Sequence, residues 1–144
     1  MKYEIDIRYP FEEMAKSKAR ISAFSNYQRP DRVPVEFCLV PRYFTRQMGI
    51  PYKDLFISAD KQYELLLYFA KYRCENIQSD ELTAPVIYVH PYFDNVTGAS
   101  HFGGHVEWPE NETLQATPTI KSIDDMNNFI IPEPSAGLFG TVIQ

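Results

Sequence analysis

Residues 100–108, SHFGGHVEW, set His101 and His105 four apart with Glu107 close behind, and His90 and Asp94 lie just upstream. Imidazoles and carboxylates at such spacings are the raw material of proton transfer or metal ligation. Two histidines at i and i+4 share an ion when a helix stacks them on one face, but Gly103 and Gly104 between them disfavour a helix. On a strand the same spacing separates them by roughly 13 Å, so a shared ion would need a sharp bend at the glycines. The expectation is no metal site, with both histidines alternating along a half-exposed hairpin. His90 differs, because it falls where an apolar run ends, and the carboxyl ends of parallel strands are where α/β folds gather ligand-handling groups. Asp94, in the following loop, is placed to orient His90 or to act beside it. These two are the candidate catalytic residues.

The elements that must position them follow from pattern. Pro10, two acids and a run of good helix formers predict a helix to about Phe24, ended by NYQRPDR. VPVEFCLV, residues 33–40, reads as a buried strand, and RYFTRQMGI as a short helical turn closing at Gly49. In SADKQYELLLYFAKYRCENI, Ser58 is the N-cap, and Tyr63, Leu66, Leu67, Ala70 and Cys74 share one helical face. APVIYVHPY is a second buried strand, so residues 33–90 predict a right-handed parallel βαβ unit. Residues 100–121 then read as an antiparallel β-hairpin turning at PEN. Ser122 and Asp125 form a capping-box pattern that starts a short helix over 122–129. The expected architecture is α/β, a single partial domain over residues 1–144.

Composition narrows the function classes. With 144 residues, 44% hydrophobic and 23% charged, the chain can build a core. A net charge of -5, with dispersed Lys and Arg, lacks the basic stripe that nucleic-acid binding needs. Cys38 and Cys74 form no CxxC, which fits reduced thiols and a cytoplasmic protein. No run approaches the length of a membrane span, and MKYEIDIRYP lacks the apolar stretch of a signal peptide.

Taken in order, DRVPVEFCLVPRYFTRQMGI, SADKQYELLLYF, VIYVHPYFD, FGGHVEWPENET and PTIKSIDDMNNFIIPEP resemble the N-terminal part of the uroporphyrinogen decarboxylase superfamily, from about Arg20 to Pro134. That superfamily holds the decarboxylase itself and methyltransferases that move methyl groups between corrinoid proteins and thiols or other acceptors. The DRVPV opening, the G-x-x-V-x-[FW]-P-E stretch and IKSIDD to PEP look closer to the methyltransferases. The resemblance implies the N-terminal portion of a (β/α)8 TIM barrel with an inserted antiparallel hairpin. Where decarboxylases carry an arginine-rich segment gripping substrate carboxylates, this chain reads LVPRYFTR, so Arg42 and Tyr43 match as substrate-binding residues, with His101 as a further contact. Where they carry an aspartate after the second strand, His90 takes the spot and Asp94 comes several residues later.

The resemblance also implies that corrinoid and zinc belong to the full-length enzyme, the zinc being held in the C-terminal half of the barrel, and that this chain itself holds no cofactor. A barrel of this kind typically needs about 250 residues. The expected function is therefore the N-terminal part of a corrinoid-dependent methyltransferase, inactive as an isolated chain. The alternatives are a tetrapyrrole decarboxylase and a non-catalytic interaction module. Two barrel strands without neighbours leave apolar edges, so the expected partners are the rest of the barrel, a corrinoid protein or a second copy of the chain, with no nucleic acid or membrane.

Overall fold

The protein is described here from a computed structural model covering residues 4–143. The fold is mixed, mostly helical with one small antiparallel sheet. The chain forms two compact units, Met1–Gln47 with Tyr63–Val89, and Met48–Gln62 with His90–Gln144.

The first unit opens with helix α1, Phe11–Ser25, whose first turn carries Glu12 and Glu13 against the positive end of the helix dipole. Its inward face is Met14, Ser17 and Arg20, so two of its three buried positions are polar. The helix ends in a Schellman motif: the Gln28 N–H donates to the Ala23 carbonyl (2.8 Å) and the Tyr27 N–H to Phe24 (3.1 Å). Tyr27 takes the left-handed position at φ 56, where a glycine is usual. Helix α2, Pro41–Met48, closes at Gly49 with φ 66, as its sequence predicts. Helix α3, Ala59–Asn76, begins as expected at Ser58, whose Oγ accepts from the Lys61 N–H (3.1 Å).

The buried face of α3 is only partly the predicted one: Cys74 is buried as expected, but Leu66, Leu67 and Ala70 are half-buried. Leu65, Phe69 and Cys74 are buried, whereas Tyr63 is exposed. The reason lies on α2, where Phe44 stacks on Phe69 with ring centroids 5.2 Å apart and meets the edge of Tyr72 at 6.0 Å. Aromatic contact with α2 thus selects the side of α3 that faces inward.

The larger correction concerns the βαβ unit. Residues 33–40 and 84–90 carry no regular secondary structure and pair into no ladder, and each holds a tight turn bond, from the Leu39 N–H to the Phe37 carbonyl (3.0 Å) and from the Val86 N–H to the Ala84 carbonyl (2.8 Å), so the two parallel strands do not form. Their apolar side chains are correspondingly uncovered: Val33 is 73% exposed and Tyr88 86%. Period and β-branching mark a run suited to a strand; they do not supply the neighbouring strand that makes it a sheet.

The second unit packs around Tyr52, Leu55, Val96 and Leu114. It contains a 3-10 turn, Tyr52–Phe56, helix α4 at Thr97–His101, strands β1 at Val106–Glu107 and β2 at Gln115–Ala116, helix α5 at Ile123–Asn127 and helix α6 at Leu138–Ile143. The predicted hairpin is present but short, with Val106 opposite Ala116 and Glu107 opposite Gln115. Its start is corrected: residues 100 and 101 close α4 instead of beginning a strand, and the chain bends at Gly103, φ 84, before β1. Helix α5 begins as the capping pattern predicts, with Ser122 Oγ accepting from the Asp125 N–H (3.1 Å) and Asp125 accepting in return from the Lys121 N–H (2.9 Å). Helix α6 approaches α4 at Gly137, where a Cβ would lie 2.5 Å from the Ser100 carbonyl oxygen, so only glycine fits there.

Candidate functional site

In the first unit the polar centre is one buried carboxylate. Asp80, 2% exposed, receives Ser17 Oγ (2.9 Å), Arg32 through Nη1 (2.6 Å) and Nη2 (3.1 Å), the Val35 N–H (2.8 Å) and Arg20 Nη1. The Asp80 N–H returns a bond to the Val35 carbonyl (2.8 Å). Arg20 also grips Asp31 with a fork, Nε to Oδ1 at 2.7 Å and Nη2 to Oδ2 at 2.6 Å. Of these four charged groups only Arg20 and Asp80 are buried, while Asp31 and Arg32 reach the surface, and the opposite charges of the pair are what allow its burial. Burial by itself would raise the Asp80 carboxyl; the bonds from Val35, Arg32, Ser17 and Arg20 outweigh it and hold the group well below the usual carboxylate range. The Arg20 hydrogen bond is the main cause that lowers Asp31, to about 2.

Arg42 and Tyr43 belong to this unit, half-buried near the start of α2. The Arg42 carbonyl accepts from Thr45 Oγ1 (3.1 Å), and the Tyr43 ring meets Phe44 and Tyr72 edge-on at 5.3 and 6.5 Å. Burial first, then Tyr72, raises the Tyr43 phenol.

His90, Asp94 and His101 belong to the second unit. His90 is exposed and outside any strand, so the strand-end position expected for it is not formed. Asp94 sits at φ 53 between Phe93 and Asn95, which bridge to each other. Its carboxylate accepts from Tyr52 Oη (3.0 Å), Tyr92 Oη (3.1 Å) and the Leu114 N–H (3.2 Å). Three of about four acceptor positions are taken, and the donors come from three separate segments. This is the geometry of a clasp. Gln62 reinforces it, donating to the Leu55 and Tyr92 carbonyls (3.2 and 2.7 Å) and accepting from the Tyr92 N–H (2.8 Å).

His101 is the last residue of α4, with Nδ1 3.3 Å from the Ala136 carbonyl oxygen and its ring edge-on to Phe102 and Phe139. The expectation that it alternates with His105 along a hairpin is therefore corrected: the glycine bend puts one histidine on a helix end and leaves the other exposed before β1. Asp94 and His101 are held by different partners. Among the described residues no group of three or more His, Cys, Asp or Glu could hold a metal ion. Cys38 is exposed, while burial of Cys74 raises its thiol, the reverse of what a thiolate ligand needs.

Sequence reasoning missed Asp80, Ser17, Arg20, Tyr52, Tyr92 and Gln62. Polar residues on the inward face of α1 were the one available signal, since a helix with buried Ser and Arg needs a partner for them. Tyr52 makes the clasp testable. Burial, then Tyr92 and Asp94, push its phenol far above the ordinary value. A raised folded value means that this contribution to stability is complete below about pH 10 and is lost as pH rises further. In a spectrophotometric titration Tyr52 is expected to ionise late, together with alkaline unfolding. An unchanged late step in Tyr52→Phe would assign that step elsewhere.

Among the described residues no helix is long and apolar enough to cross a membrane. Compared with known proteins, the chain matches no family model, no curated protein and no solved structure.

Proposed function

We propose that this chain forms the N-terminal part of a uroporphyrinogen decarboxylase-like enzyme, from the branch that moves methyl groups between corrinoid proteins and thiols or other acceptors. On this reading further strands complete a (β/α)8 barrel. The support is the ordered motif series from DRVPV to PEP, and one structural observation fits it best. Asp31 and Arg32 of DRVPV are both engaged in fastening the chain to α1 and Asp80, and the residues after them join no ladder and leave Val33, Val35 and Phe37 exposed. An exposed apolar segment without a ladder fits a barrel strand whose neighbours lie elsewhere.

In the completed enzyme, Arg42 and Tyr43 are assigned to an anionic part of the substrate and His90 to proton handling, with His101 as a further contact. Asp94 is a positioning residue, because its oxygens already hold Tyr52, Tyr92 and Leu114. Zinc held by other family residues would supply thiol activation. The partner is a polypeptide carrying the remaining strands, and without it the exposed Val33, Val35, Phe37 and Tyr88 favour self-association.

The purified chain is therefore expected to show neither methyl transfer from a methylcorrinoid nor uroporphyrinogen decarboxylation, and to self-associate at micromolar concentration in sedimentation equilibrium. Addition of a polypeptide bearing the remaining barrel strands and the family's zinc ligands is expected to give a mixed complex that transfers methyl groups. Decarboxylation without methyl transfer by that complex would select the decarboxylase branch instead. Multiple turnover by this chain alone would refute the reading.

A further inference from the structure

We infer that residues 31–35 are a strap tied down by one carboxylate, and that Asp80, not strand pairing, sets the conformation of the chain at the start of the unpaired run 33–40. The observations are geometric. Asp80 bonds the strap at two points, the Arg32 guanidinium and the Val35 N–H, and bonds α1 at two more, Ser17 and Arg20. Its own N–H closes a ring with the Val35 carbonyl. Asp31 adds a second tie to Arg20. Sheet hydrogen bonds contribute nothing here, since residues 33–40 join no ladder, and Val33 and Val35 bury too little to hold the segment by apolar contact. What remains is a charge-assisted cluster converging on a buried carboxylate, the strong class of hydrogen bond. Losing that carboxylate should free the strap locally while α1 stays folded, because α1 keeps its own backbone ladder and its Schellman end.

The consequence is a segment that is held in place in advance. In the proposed barrel, a neighbouring strand would meet an edge whose ordering is already complete. The inference itself does not depend on that proposal, since it concerns only how the strap is held.

Trypsin reads the device directly, because cleavage after Arg32 requires the side chain that Asp80 holds, whereas cleavage after Lys18 reports the opening of α1. The quantity to measure on the full chain is the ratio of the Arg32 rate to the Lys18 rate, by mass spectrometry of a limited digest. Proteolysis tracks the open population when opening is fast relative to cleavage. Asp80→Asn is expected to raise the ratio about tenfold or more, and Ser17→Ala, which keeps the carboxylate, about threefold. A ratio unchanged from the parent chain in both variants would overturn the inference, including the case where a variant unfolds as a whole and all sites accelerate alike.

Discussion

Replacing Asp80 with alanine is expected to destabilise the first unit by about 3 kcal/mol, the lower end of what removing one member of a buried ion pair costs. The lower end applies because the remaining charges are not stranded. Arg20 keeps its fork with Asp31, and Arg32, about half exposed, can turn to water. The loss comes instead from Ser17 and the Val35 N–H, whose acceptor disappears, and from the missing anion between two arginines. Asp80→Asn keeps an acceptor oxygen and should fall between parent and alanine. The same carboxylate sets a pH dependence. Its folded value is depressed, so the unfolded chain takes up the proton first, and the stability it contributes is complete above about pH 4 and is lost as pH falls below that. Asp31, lowered to about 2, acts in the same window with the same sign. Thermal melts from pH 6 downward are therefore expected to lose stability below about pH 4 in the parent and to be flatter in Asp80→Ala. Parallel curves would assign the acid sensitivity to other carboxylates.

Phe44→Ala is expected to cost about 3–5 kcal/mol, the range for truncating a buried aromatic ring. Phe44 is 2% exposed and has a neighbour on every side: Phe69 stacked at 5.2 Å, Tyr72 and Tyr43 edge-on, and the Arg73 guanidinium 5.7 Å from its centroid. Arg73 is itself held by Glu81 (2.6 Å), so the cavity cannot close simply by letting it collapse inward. Helix α2 spans only Pro41–Met48, too short to be stable by backbone propensity, and depends on this ring for its place. Loosening it would displace Arg42 and Tyr43, which α2 carries. Phe44→Leu retains most of the volume and should cost markedly less. Denaturant unfolding of the two variants provides the check, and equal midpoints for parent and Phe44→Ala would remove Phe44 from the core.

Local chemistry was legible in the sequence and long-range pairing was not. Helices α1, α2, α3 and α5 start and stop where their residues say, at Pro10 with Glu12 and Glu13, at Gly49, at Ser58, and at Ser122 with Asp125, because caps and dipoles act within one turn. The absence of helix over 33–40 and 84–90 was equally local, following from β-branched residues and prolines. Whether those runs find neighbours depends on other parts of a sheet, and here they stand unpaired. The inward face of α3 was decided by Phe44 on another helix. The histidine motif failed for the same reason: spacing along the chain is distance only once the backbone path is known, and the bend at Gly103 separates His101 from the approach to β1. Asp80 lies 60 residues from Arg20 and 48 from Arg32, and Asp94 42 from Tyr52. No periodicity links residues so far apart. Only folding, which withdraws carboxylates from water and obliges them to find donors, turns Asp80 and Asp94 into the centres of their two units.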